Sequence, residues 1–246
     1  MLTYNPPRYL FRRHTVLRSL RRGKTFLEIG AGNLKLSSEL AKHFDKGTAL
    51  DFEVDIKSWH KRLPKNLRAK ISVEIEDIFR FEPKTQYDCV VSCEVMEHIK
   101  DDKKFLVKIH KLLRDGGQVI ISVPAKEKYW SVHDEIAGHY RRYDKARLIE
   151  LLAEVGFKDI KVYSYGFPFI NGLRLLRVMH GKRQAKTKLH WSRQKQTKQS
   201  GVGQISGKFD ILAIVVNPLS FYIPNLISRL FDNMDLSEGY VAVATK

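Results

Sequence analysis

Acidic residues are missing from two long stretches of this 246-residue chain. Residues 1–24 hold Arg8, Arg12, Arg13, Arg18, Arg21, Arg22 and Lys24 without one carboxylate, and residues 160–209 hold eleven lysines and arginines, again without one. These eighteen cations exceed the net charge of +17, so the remainder is close to neutral. The excess is therefore local. It attracts phosphate, anionic lipid or an acidic substrate without choosing among them. Cysteine is scarce as well, with only Cys89 and Cys93. Four residues of strand separate them by about 13 Å, beyond the reach of a disulfide, and they read as buried thiols of a reducing compartment. No repeat of 20–50 residues recurs, which excludes solenoids and propellers. No apolar secretory core stands near the start. The arginine-rich opening resembles a transit peptide in composition, but a strand follows at once, so residues 6–22 are expected as an amphipathic helix of the fold and the protein in the cytoplasm.

What is present alternates strand with helix. Phe26–Ile29 is a short apolar run ending in Gly30, and a helical stretch from Asn33 to Phe44 follows. Thr48–Leu50 ends at Asp51; Ile71, Val73 and Ile75 alternate; Asp88–Cys93 is continuously apolar, as in a strand covered on both faces. Asp101 and Asp102 open a helix that Arg114-Asp115-Gly116-Gly117 should stop. Val119–Val123, a helix through Leu148, Leu151, Leu152 and Val155, a strand from Ile160 and a last one at Tyr240–Val243 complete the series. The order predicts an α/β fold, doubly wound around a mostly parallel seven-stranded sheet, with ligands bound beyond the carboxyl ends of the strands.

Chemistry first shows at Glu28-Ile29-Gly30-Ala31-Gly32-Asn33. Gly30 permits a sharp turn and Gly32 lets a ligand approach bare backbone. Glu28, at the strand's end, suits a cationic amino group. Asp51 lies 23 residues further on, placed as an acceptor for ribose hydroxyls. A nicotinamide dinucleotide would want a third glycine where Lys35 stands, so a cofactor without phosphates fits better.

Leu27–Ser37 (LEIGAGNLKLS) resembles the first motif of the class I S-adenosylmethionine-dependent methyltransferases. Residues 87–99 (YDCVVSCEVMEHI), 112–124 (LLRDGGQVIISVP) and 146–157 (ARLIELLAEVGF) resemble later segments of the small-molecule group of that class. The resemblance implies a Rossmann-like methyltransferase fold and S-adenosylmethionine as cofactor, leaving as S-adenosylhomocysteine. Glu28, Gly30, Gly32 and Asn33 would hold the methionine part, Asp51 and Phe52 the ribose side, and Asp77 and Ile78 the adenine. Cys93 and Glu94, with His98 nearby, would line the methyl-transfer channel. One departure stands out: many relatives carry glycine where this chain has Leu34. The implied organisation is one domain over residues 1–246. It has an N-terminal helical extension (1–23), a cofactor-binding core (24–165), a basic and apolar insertion or lid (166–238) and a final strand (239–246).

Trp130-Ser-Val-His-Asp-Glu-Ile-Ala-Gly-His-Tyr-Arg-Arg-Tyr143 resembles a stretch found in a subset of these enzymes. Methyl transfer needs alignment and exclusion of water, and an oxygen acceptor also needs a base. His133 or His139 is expected to be that base, and Arg141 or Arg142 to clamp an anionic acceptor, with Trp130, Tyr140 and Tyr143 around it. The alternative is a structural lid, its arginines stacked on tyrosines or paired with Asp134 and Glu135. His133, Asp134 and His139 lack the carboxylate cluster of a metal site, so no metal is expected.

Residues 166–238 exceed any hairpin connection. Ile211–Ser228 has no charge and approaches a membrane span of about twenty residues, but Pro218 and Pro224 break it. A lid over the acceptor is expected, with Gln194–Gly207 mobile. Apolar faces beside a basic loop also suit peripheral contact with an anionic membrane and a lipid-linked acceptor. An RNA methyltransferase is the weaker alternative, lacking a recognition domain and a base-amine motif after the fourth strand. A catalytically silent binding module is the third.

Overall fold

A computed structural model describes residues 5–53, 55–174, 178–179 and 216–246. The strands are β1 Thr25–Ile29, β2 Lys46–Asp51, β3 Ile71–Ile75, β4 Tyr87–Cys93, β5 Leu113–Pro124, β6 Lys158–Ser164 and β7 Gly239–Thr245. The helices are α1 Pro7–Ser19, α2 Lys35–Leu40, α3 Ile56–Lys61, α4 Lys65–Lys70, α5 Asp102–Leu112, α6 Val132–Ala137, α7 Lys145–Val155, α8 Phe169–Gly172 and α9 Tyr222–Arg229. The expected α/β order holds, and α3, α4, α6 and α8 are additions that the apolar periodicity did not announce.

The seven strands form one sheet in the order β3-β2-β1-β4-β5-β7-β6. Pairings β1 with β2 and β4, β2 with β3, and β4 with β5 are all parallel. β7 runs the other way: its end bonds the start of β5 (Lys246 N to Gly117 O, 3.0 Å), and Ala125, just past the end of β5, bonds Glu238 at its start (2.9 Å). Strand order reverses between β1 and β4, so the carboxyl ends of β3, β2, β1 and β4 lie side by side with a crevice at the reversal. Ile29 pairs with Leu50 and Ser92, which keeps these ends in step.

The described chain falls into two compact units. One comprises residues 19–123, 146–161 and 242–246; the other comprises residues 1–18, 124–145 and 162–241. In the former, Phe26, Leu27, Val90, Val91, Ile120 and Ile121 are buried between the helices that flank the sheet. Burial of such side chains contributes about 1.5–3 kcal/mol each. Asp88 pins the first strand to the fourth, accepting from Lys24 N (2.8 Å), Thr25 N (2.7 Å) and Thr25 Oγ1 (3.0 Å). In the other unit, α1 buries Leu10, Phe11, Thr15 and Val16, and the Phe11 ring meets Phe169 and Phe221 at 5.6 and 5.3 Å.

Two boundaries differ from expectation. α2 begins at Lys35 and ends at Leu40, because Leu34 takes a left-handed conformation and residues 41–43 close as turns. The segment Arg114–Gly117 does not cap α5. It opens β5, since Gly116 and Gly117 give their backbone groups to Lys246. Ile211–Val215 of the uncharged run, and Gln194–Gly207, lie outside the described residues.

Candidate functional site

The turn after β1 is built by left-handed backbone. Gly30 (φ 75°) and Gly32 (φ 51°) adopt it, and so does Leu34 (φ 60°, ψ 15°). Gly30 N donates to Leu50 O (2.9 Å), and a Cβ on Gly30 would lie 2.4 Å from Val95 Cγ2. Only glycine fits where the ends of β1 and β4 approach. Leu34 costs about 1–2 kcal/mol in that conformation, but its side chain is fully buried, and burial of a leucine offsets the cost. Glu28 is buried behind the turn with its carboxylate on Ser37 Oγ. That bond ties β1 to α2. Asn33 is exposed, its Oδ1 accepting from Lys35 N (3.3 Å).

Asp51 ends β2 and is buried. One carboxylate oxygen accepts from Gly32 N (2.7 Å) and the other from Glu53 N (3.0 Å). Burial pushes its carboxyl up, and these N–H groups pull the other way. Phe52 beside it is exposed. Beyond β3, Asp77 is exposed, accepts from Phe79 N (2.8 Å) and precedes the buried Ile78. Cys93 is the half-buried last residue of β4. Glu94 follows with φ 56°, its backbone N on Ser122 O and its Oε1 accepting from Ser122 Oγ, both 3.0 Å. A non-glycine residue held left-handed beyond a strand end is frequent at functional sites. His98 closes the single turn Met96–His98 after it.

A second constellation belongs to the unit containing residues 124–145. Asp134, 1% exposed, is its centre. Ser131 opens α6, giving its backbone N (2.9 Å) and Oγ (3.1 Å) to Asp134 Oδ2. Arg142 makes a two-toothed pair, Nε to Oδ1 (2.8 Å) and Nη2 to Oδ2 (2.9 Å), and gives Nη1 to Ala125 O (3.2 Å). His139 Nδ1 lies 3.0 Å from Asp134 Oδ1. Burial alone would raise the Asp134 carboxyl; the bonds from His139 and Arg142 and the guanidinium charge outweigh it and hold the group well below the usual range. An ionised carboxylate only accepts, so Nδ1 of His139 donates to it. Gly138 (φ 78°) ends α6 and turns the chain so that His139 N reaches Asp134 O (2.9 Å).

Residues 2–162 match the family described as methyltransferase domain. The chain belongs to this methyltransferase-domain family. A probable S-adenosylmethionine-dependent methyltransferase of Mycolicibacterium smegmatis is 29% identical over 158 residues, 61% of this chain and 60% of its own. A ubiquinone biosynthesis O-methyltransferase of Coxiella burnetii is 26% identical over 102 residues, 41% of this chain and 44% of its own. The chain spans 60% or less of these curated relatives. In fold it is similar to a methyltransferase from Bacillus halodurans (TM-score 0.58, 16% identity, 96% of this chain and 97% of that one). It is also similar to phosphoethanolamine N-methyltransferase 2 of Haemonchus contortus with S-adenosyl-L-methionine (TM-score 0.56, 17% identity, 96% and 52%).

The strand ends of this methyltransferase fit its cofactor. Asp51 accepts from the backbone N–H groups of Gly32, Glu53 and Phe52, and a carboxylate has about four acceptor positions, so it keeps capacity for a hydroxyl. Asp77, Asp51, the glycine turn and Cys93–Glu94 follow one another along the sheet edge as the topology dictates. Two expectations for the acceptor side are corrected. Arg142 is buried and saturates Asp134 and Ala125 O, so it braces the fold instead of clamping an acceptor. Tyr143 is 2% exposed and bonds through its backbone to Pro124 and Lys126, so its ring is packing. Trp130, His133 and Arg141 are half-buried and Tyr140 exposed. In the sequence Asp134 stands as an ion-pair partner and as one of three residues considered for a metal. Its spacing from Ser131, the Ser-x-x-acid signature of a capping box, was the signal for its placement.

Proposed function

We propose that the protein transfers a methyl group to the oxygen of a small-molecule or lipid-like acceptor, with His139 as general base. The single observation that carries this is the Asp134–His139 pair, in which a buried carboxylate orients the imidazole as a general base requires. When bound, S-adenosylmethionine supplies an electrophilic methyl group and departs as S-adenosylhomocysteine. Asp51 and Phe52 would hold the ribose, Asp77 and Ile78 the adenine, and the backbone of Gly30 and Gly32 the methionine part. Cys93, Glu94 and His98 would line the channel. His139 would draw the proton from the acceptor hydroxyl as the oxygen bonds carbon, and Asp134 would stabilise the resulting imidazolium. Arg141 would meet an anionic group on the acceptor, with Trp130 and Tyr140 against its apolar part. The O-methyltransferase relatives support oxygen as the acceptor atom, and Cys89 and Cys93, which form no disulfide, support a cytoplasmic setting.

The test is methyl transfer from labelled cofactor to a panel of hydroxylated aromatic and lipid compounds. Calorimetry with S-adenosylhomocysteine establishes cofactor binding separately. His139→Ala should lower turnover at least a hundredfold near neutral pH with cofactor affinity unchanged, whereas His133→Ala should not. Full turnover in His139→Ala across the pH range would sink the base assignment.

A further inference from the structure

α9 is an amphipathic helix turned inside out. Its inward positions are polar: Asn225 and Ser228 are each 5% exposed. Asn225 Nδ2 donates to Phe221 O (2.7 Å), and Ser228 Oγ accepts from Gly166 N (2.8 Å). Its outward positions are apolar. Tyr222, Ile223, Leu226, Ile227 and Leu230, just past the last turn, are exposed, Ile223 by 64% and Leu230 by 75%. A spacing of three and four residues gathers them in one stripe. Leu219, Met234 and Leu236 add exposed apolar surface before and after it. Side chains of this kind left in water forgo burial, and an exposed apolar stripe marks a docking surface.

Charge indicates the occupant. α1 is joined to the start of α9 by the edge-on contact of Phe11 with Phe221. On α1, His14 is pushed below its usual value by burial and then by Arg18, Arg229 and Arg13, so three guanidinium groups lie near His14. Arg18 is ion-paired with Asp232 and stacks over Tyr163; Arg13 is half-buried and Arg229, at the end of α9, is exposed. An apolar stripe ending at an exposed arginine matches a bilayer with acidic headgroups, where the stripe enters the acyl boundary and the guanidinium meets phosphate. Symmetric contact with a second copy would set these arginines against their own equivalents. Among the described residues no helix is long and apolar enough to cross a membrane, so the contact would be peripheral.

We propose that the outward stripe of α9, with Leu219 and Leu230, is a peripheral docking face for an anionic lipid bilayer. The face does not depend on which acceptor is methylated. The test is co-sedimentation of the full chain with vesicles of phosphatidylcholine alone or with phosphatidylglycerol. Sedimentation should require phosphatidylglycerol and weaken with salt. The triple variant Ile223→Ser, Leu226→Ser, Leu230→Ser should partition at least tenfold more weakly while still binding S-adenosylhomocysteine. If that variant misfolds, Arg229→Glu, a single exposed change, should weaken binding severalfold. The proposal is overturned if the wild type stays in solution with phosphatidylglycerol vesicles at low salt, if the folded variant sediments like the wild type, or if light scattering shows a dimer that the variant dissolves without any vesicle binding. Loss of methyl transfer to soluble acceptors would count against the enzymatic reading and leave this one standing.

Discussion

Gly32 donates its backbone N–H to Asp51 Oδ2 at 2.7 Å, tying the turn after the first strand to the end of the second. The carboxylate holds the turn closed, and under the proposed function it would also accept from a ribose hydroxyl. Asp51→Ala should weaken S-adenosylhomocysteine at least tenfold by calorimetry and cost about 1–3 kcal/mol of stability, because backbone N–H groups lose their partner. Unchanged affinity would remove Asp51 from the cofactor site.

Gly30→Ala places a methyl group 2.4 Å from Val95 Cγ2 on a backbone with φ 75°. The left-handed conformation costs about 1–2 kcal/mol and overpacking about 1–3 kcal/mol. Urea unfolding should therefore show a loss of about 2–5 kcal/mol. Combining it with Val95→Ala should recover the overpacking part only.

Asp134→Ala leaves the buried Arg142 guanidinium without its counter-charge and should cost about 3–5 kcal/mol. The pH dependence follows in sign. The folded chain holds the Asp134 carboxyl below its usual value, so an unfolded chain takes up its proton first as pH falls. The stabilisation is complete above the ordinary carboxylate value of about 4 and fades as pH drops from there toward the folded value. Asp134→Asn should flatten this part of the acid unfolding profile, followed by circular dichroism; an unaltered profile would contradict the pairing.

Leu34→Gly relieves about 1–2 kcal/mol of backbone strain but removes a fully buried side chain, a change worth about 2–5 kcal/mol. The second effect is larger. Net destabilisation of about 1–3 kcal/mol is expected by urea unfolding, with cofactor affinity kept within severalfold, since the turn retains its shape. A stabilised variant would show that strain outweighs burial here.

The cofactor half of the site was legible because it depends on local chemistry. A short apolar run, a glycine pair and an acid at each following strand end state what the backbone does and where the carboxylates fall, and parallel topology then aligns them. The base assignment remained open between His133 and His139 because the two are equivalent in one dimension. Which ring meets Asp134 depends on the turn at Gly138.

By itself the sequence determined the alternation of strands and helices, the glycine turn and the family, since these follow from periodicity and from residues close together in the chain. Tertiary structure alone decided the strand order, that Glu28 meets Ser37, that Arg142 is spent on Asp134, and that α9 shows its apolar side outward. Each of these is a matter of which partner a side chain finds once distant segments pack, and burial and pairing energies rather than local propensity set the outcome.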